Sequence, residues 1–335
     1  MKARSWTLWF AALAVSGCAA MGGGDGGGKV SILVDLDPAS ADRTVIVESI
    51  TADAQGRLYM GDRVSGNVLR VDPRSPKPEA VAHIEPREIA GKKVNADASG
   101  VEFNREGDLF IATGPFSEVL RVHAADLNPQ KPARPQTFAT GTEGANGIAF
   151  DKQGNVYISG GRSGKIYRVG PAGGAAQLYA DIPAFVRKLP DGKSEQATVA
   201  NGLAFDSKGA LFVGDTARGA IWKISIGADG KPGKPEKIAE GPLLEGADGI
   251  AFDRTGKLWV TANERNALVT VSPDGKVEEV AKNDSKGPLE FPSAIVFVGD
   301  TGYISNYDVP RRDNMDASGK TARDGIGASV ARVKP

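Results

Sequence analysis

Residues 247–260 read Ala247-Asp248-Gly249-Ile250-Ala251-Phe252-Asp253-Arg254-Thr255-Gly256-Lys257-Leu258-Trp259-Val260. A short apolar run ends in Asp-x-x-Gly, and a second apolar run with an aromatic at its second position follows. Asp hydrogen-bonds its own backbone and Gly accepts positive φ, so the pattern predicts two antiparallel strands joined by a tight hairpin. The grammar recurs on both sides. Equivalent first strands are Ser49-Ile50-Thr51-Ala52-Asp53, Gly100-Val101-Glu102-Phe103-Asn104, Gly147-Ile148-Ala149-Phe150-Asp151, Gly202-Leu203-Ala204-Phe205-Asp206 and, more loosely, Ala294-Ile295-Val296-Phe297.

Each is followed by a second strand (such as Leu58-Tyr59-Met60 or Leu211-Phe212-Val213) and then a third (such as Val68-Leu69-Arg70-Val71 or Ile221-Trp222-Lys223-Ile224). Five repeats carry a weaker fourth strand, the last at Val277 to Ala281, whereas the sixth stops at Pro335 without one. The unpartnered run Ser31-Ile32-Leu33-Val34-Asp35-Leu36 supplies the missing strand. Residue 48 to residue 293 is 245 positions over five steps, or 49 each, the length of a blade-sized unit. An all-β, six-bladed β-propeller with four strands per blade is predicted, its last blade closed by the N-terminal strand, because radial closure protects the sheet edges.

Composition narrows the chemistry. The 335 residues carry 41 Lys+Arg against 41 Asp+Glu, with one Cys and two His. No basic face is evident for a phosphate backbone, so no nucleic-acid partner is expected, and a monomer is. A disulfide framework is excluded, and His83 and His123 are too few for a His-ligated zinc. Lys2 and Arg4 precede an apolar run from Trp6 to Val15, too short for a bilayer that needs about 20 residues. Residues 1–17 read as a signal peptide, and Val15-Ser16-Gly17-Cys18 resembles a bacterial lipobox with Cys18 as the lipidated residue. Residues 18–29 then form a Gly-rich tether and residues 30–335 the propeller, giving an exported protein of the cell envelope, lipid-anchored to a membrane. Ordinary cleavage with a free Cys is the alternative.

Aligning the repeats on their first strands puts Glu48, Ser99, Asn146, Asn201, Asp248 and Ser293 at one equivalent position. First strands line a propeller's axis, so these six polar residues are expected to ring one end of the channel. Glu48, Asp248, Asn146 and Asn201 offer hard oxygen donors without nitrogen or sulfur competitors, which suits Ca²⁺, or Mg²⁺ or Mn²⁺. The competing reading takes Asn-Gly and Asp-Gly as turn residues entering a strand. The segments Glu85 to Ala98 and Asp181 to Thr198 are charged loops able to roof the channel.

At these residues, and most specifically at Ala200-Asn201-Gly202-Leu203-Ala204-Phe205 with Gly214-Asp215-Thr216 and at residues 247–260, the chain resembles the senescence-marker-protein/gluconolactonase (regucalcin-like) propellers, which include luciferin-regenerating enzymes. The resemblance implies a metal held by Glu48, Asn201 and Asp248, a substrate beside Asn146, and Asp248 as the base in hydrolysis of a small-molecule lactone or ester. Ca²⁺ is the favoured ion. Two positions depart from the family: Ser49-Ile50 follows Glu48 where Gly-Pro is usual, and Gly144 stands where the sugar-lactone enzymes carry Arg. A non-catalytic propeller that binds a ligand or an envelope protein is the alternative.

Overall fold

The computed structural model describes residues 29–37, 44–189, 191–284, 287–308 and 326–334. Six small antiparallel sheets form the six blades of a β-propeller. In blade 5, for example, Ala247–Phe252, Leu258–Ala262, Ala267–Val271 and Val277–Lys282 pair in chain order from the axis outwards. The predicted fourth strands are all present. Blade 6 comprises Pro292–Val298, Thr301–Asn306 and Ser329–Val333, and its outer strand is Val30–Asp35 from the N-terminal end.

The registers Val30↔Val333, Asp35↔Ser329 and Asn306↔Pro292 give that closing strand a direction. It starts at the face remote from the ring of first-strand residues and ends beside it. The expected signal peptide, Cys18 and most of the expected tether lie outside the described residues.

The repeated aromatic is explained by what joins the blades. Six apolar clusters hold the molecule together, one at each junction between neighbouring blades, including that between blades 6 and 1. At five junctions the second-strand aromatic of one blade meets the first-strand Phe of the next edge to face. The pairs are Tyr59–Phe103, Phe110–Phe150, Tyr157–Phe205, Phe212–Phe252 and Trp259–Phe297, with ring centroids 4.8 to 5.5 Å apart. Such contacts add to the burial of the rings themselves. At the sixth junction the Phe position is Ala52, and Tyr303 packs against a cluster that is otherwise aliphatic. The ring donors also tie the hairpins: Tyr59, Tyr157 and Trp259 each donate to the turn Asp of their own blade, Asp53, Asp151 and Asp253.

The closing strand contributes Leu36, Leu33 and Val34 to the blade 6–1 cluster, and Val30 and Ile32 to the blade 5–6 cluster. Deleting residues 19–38 strips these side chains and exposes the edge of Ser329–Val333. The expected loss in thermal midpoint is about 5–10 °C. An unchanged melting curve for the truncated chain would show that the ring does not depend on this strand.

Candidate active site

Five of the six aligned residues, Glu48, Ser99, Asn146, Asn201 and Asp248, line one cavity of about 720 Å³ at the end of the axis. Ser293 does not. It is buried, and its hydroxyl meets Ser305 and the carbonyl of Val47. Ser99 reaches the cavity wall, but its hydroxyl is committed to the carbonyls of Ala112 and Ala145.

The glycine after four of these residues is not a turn glycine. Gly100, Gly147, Gly202 and Gly249 have no positive φ, yet a Cβ on each would stand 1.9 to 2.5 Å from the carbonyl oxygen of the aligned residue in the next blade: Asn146, Asn201, Asp248 and Ser293. Backbone packs directly on backbone there. The close approach leaves the residue before each glycine to face the mouth of the channel, so the reading of Asn-Gly and Asp-Gly as turns gives way to one in which glycine brings the ring together.

Side-chain hydroxyls add a bond across every junction. Ser99 Oγ donates to Ala145 O, Ser159 Oγ to Asn201 O, Thr216 Oγ1 to Ala247 O, Thr261 Oγ1 to Ser293 O and Ser305 Oγ to Glu48 O, while Ser49 Oγ accepts from the Val101 N–H.

The axial residues also contact one another. Asn146 Nδ2 donates to Glu48 Oε1 at 2.9 Å, Asn201 Nδ2 to Thr216 Oγ1 at 3.0 Å, and Asn263 Nδ2 to Asp248 Oδ2 at 2.8 Å. Arg63 was not anticipated. Its Nη1 donates to Glu48 Oε2 and, at 3.0 Å, to the Tyr307 hydroxyl, while Nε and Nη2 form a two-pronged pair with Asp97. Burial opposes the charge on Arg63, but Glu48 and Asp97 more than offset it, and the guanidinium stays protonated with its pKa above the ordinary arginine value.

Arg63, Thr216, Asn263 and Tyr307 share a signal that was present in the repeats. Each lies four residues after the aromatic of its second strand, and so do Gly114 and Gly161. All six line the cavity. Asp97 follows no such rule. It sits at φ 50° just after the hairpin formed by Arg87–Ile89 and Lys92–Val94, within the first of the two segments read as loops. The second segment is also a hairpin, Phe185–Lys188 with Ser194–Ala197, and Gln196 and Thr198 reach the cavity from it.

Among the described residues no three His, Cys, Asp or Glu side chains cluster as a metal site. The axial donors are two carboxylates supplemented by carboxamides, all oxygen, and that chemistry fits a hard divalent cation. Asn263 Oδ1 is buried without a hydrogen-bond partner on the amide that holds Asp248. The inner wall carries Glu48, Asp97 and Asp248 against Arg63, a difference that one divalent cation closes.

A half-buried carboxyl outside the cavity, Glu102, lies along the first strand of blade 2. Burial pushes Glu102 up to about 7, against hydrogen bonds from Thr51 Oγ1 and the Phe103 N–H that hold it down. The other sequence candidates have structural roles. His83 and His123 bond Asn67 and Asp108, Arg70 pairs with Glu79, and Arg168 lies over Tyr157 and Tyr179.

Comparison with known proteins places this geometry. Residues 188–304 match the SMP-30/Gluconolactonase/LRE-like region, a span that contains Asn201 and Asp248 but neither Glu48 nor Asn146. The chain thus carries a gluconolactonase-like region, as the motifs implied. The 6-deoxy-6-sulfogluconolactonase of Pseudomonas putida is 30% identical over 125 residues, 36% of this chain and 40% of that protein's length.

Among solved structures, a gluconolactonase from Xanthomonas campestris matches with TM-score 0.61 and 16% identity over 91% of this chain and 89% of its own. Regucalcin from Agrobacterium tumefaciens, a calcium-binding protein, matches with TM-score 0.59 and 16% identity over 88% and 92%. Virginiamycin B lyase from Staphylococcus aureus matches with TM-score 0.56 and 13% identity over 91% and 99%. At such identities the likeness establishes the propeller and not the chemistry.

Replacing Arg63 by Met removes the charge that holds two carboxylates side by side. A loss of about 2–4 kcal/mol in unfolding free energy at pH 7 is expected. The deficit comes from two carboxylates left side by side on a partly buried wall without their counter-charge. Urea unfolding across pH 4 to 8 measures it. A variant as stable as the wild type at every pH would show that Arg63 does not organise this wall.

Proposed function

We propose that this chain hydrolyses a lactone or ester, with one divalent cation, Ca²⁺ before Mg²⁺ or Mn²⁺, held by Glu48, Asn201 and Asp248. The observation that carries the reading is the convergence of these three residues with Asn146 on one axial cavity, two of them inside the gluconolactonase-like span. The names of the relatives support lactone chemistry, and the calcium-binding neighbour supports the ion. A bound cation supplies Lewis-acid polarisation of the carbonyl. Asp248 takes the proton of the attacking water, its carboxylate oriented by Asn263. Asn146, fixed by its bond to Glu48, orients the substrate.

Export and lipidation at Cys18 belong to the same proposal. The strand Val30–Asp35 begins at the face remote from the cavity, so a tether joined there turns the cavity mouth away from the membrane that holds the lipid.

A non-catalytic binding propeller is the second reading, favoured by the ion pair that already engages Glu48. Glu48→Gln and Asp248→Asn separate the two. Both variants lose charge and bind Ca²⁺ more weakly. Added metal restores most lactone turnover to Glu48→Gln, whereas Asp248→Asn stays down by about 10²-fold or more at saturating metal, the scale of a lost general base. Equal rescue removes Asp248 as the base. Wild-type protein that turns over no lactone or ester leaves the binding propeller.

A further inference from the structure

The arginines on the cavity face are nearly all spent. Arg63 holds Glu48 and Asp97, Arg187 holds Glu195, Arg218 holds Asp215, and Arg265 holds Glu279. Arg162 is the exception. Among the described residues its guanidinium has no carboxylate within ion-pair distance and no hydrogen-bond acceptor. Glu143, the acid on the same part of the wall, is held by Lys165 at 3.0 Å.

Arg162 is nonetheless rigidly presented. Its carbonyl accepts from Gln196 Nε2 at 2.7 Å, and the carbonyl of Gly161 just before it accepts from the N–H groups of Val199 and Ala200. Blade 4 and the hairpin ending at Ala197 thus fix the backbone of an exposed, unneutralised cation. Its location is equally particular. The axial cavity is flanked by a second hollow of about 470 Å³, and the two share Arg162, Thr198 and Thr216. Thr216 Oγ1 also bonds Asn201 Nδ2, so the shared boundary is one residue from the axial donors. Glu245 and Glu264 on the wall of the second hollow each have interactions of their own.

From this juxtaposition we infer that Arg162 is a specificity-determining residue, and that the substrate is a lactone whose ring substituent ends in an oxyanion such as a phosphate, sulfonate or carboxylate. The ring lies over Asn201 and Asp248, and the substituent passes Thr216 to the guanidinium. A guanidinium offers paired N–H donors that match two oxygens of such a group, and in a partly enclosed cavity its charge is less screened than on open surface. The inference rests on the lactone-site reading above. It adds the part of the substrate that the axial residues do not touch.

The test compares wild type, Arg162→Gln and Arg162→Lys on two probes that differ only in the terminal group, glucono-1,5-lactone and its 6-phosphate. Hydrolysis is followed together with calorimetric binding of the product anion, 6-phosphogluconate. In the wild type kcat/KM is higher for the phosphorylated lactone. Arg162→Gln loses about 10- to 100-fold for it, mostly in KM, and less than about threefold for the neutral one, the scale of one charge-assisted contact. Arg162→Lys keeps part of the preference. Arg162 is exposed, so thermal midpoints stay unchanged.

Equal use of both lactones by the wild type, or an unchanged preference in Arg162→Gln, overturns the inference while leaving the hydrolase standing. If neither lactone is turned over but 6-phosphogluconate binds the wild type and not Arg162→Gln, the hydrolase reading fails and the anion subsite stands. If neither lactone reacts and the product anion does not bind, both fail.

Discussion

At four of the six blade junctions on the propeller axis, the backbone of one blade stands so close to the next that no Cβ fits between them. A methyl group on Gly100, Gly147, Gly202 or Gly249 would fall within 2.5 Å of a carbonyl oxygen across the junction. That contact is possible only for glycine, and it fixes how far the inner strands converge. The residue preceding each glycine is thereby delivered to the channel mouth, and Ser or Thr hydroxyls bridge the same junctions. Further out, where the blades diverge, the gap is filled by an aromatic from one blade set edge-on against a Phe of the next. Small at the axis and large outside is the wedge shape that six sheets need in order to close a ring.

The same convergence creates an electrostatic problem, since it brings the carboxylates of Glu48, Asp97 and Asp248 to one cavity. Arg63 answers part of it by binding Glu48 and Asp97 together. One divalent cation would balance the remainder, and the donors are oxygens suited to a hard ion. The fold alone does not dictate this chemistry: a gluconolactonase, a calcium-binding regucalcin and a lyase all share the propeller at low identity. The chemistry is set by the side chains that the repeats bring to the axis.

Much of that set was legible because the chain repeats itself. The blade count, the fourth strands and the closing strand followed from register, and so did the placement of Glu48, Asn146, Asn201 and Asp248. Ser293 shares the register but turns into the junction, where its hydroxyl is used for packing. Arg63, Thr216, Asn263 and Tyr307 were equally periodic. They were passed over because alignment was made on first strands, and the same count on second strands finds them. Asp97 was beyond reach. It lies just after a hairpin inserted between two repeats, outside the repeated strand pattern, and only tertiary structure brings it to Arg63.

The central claim is that the axial ring is a cation site, and calcium binding to the purified full-length protein after chelation tests it most directly. Titration calorimetry on the wild type should give one ion per chain, bound at Ca²⁺ concentrations below a millimolar. The absence of heat or of bound ion for Ca²⁺, Mg²⁺ and Mn²⁺ alike at millimolar concentrations would contradict it, and would leave Glu48, Asn201 and Asp248 as a purely polar ring balanced by Arg63.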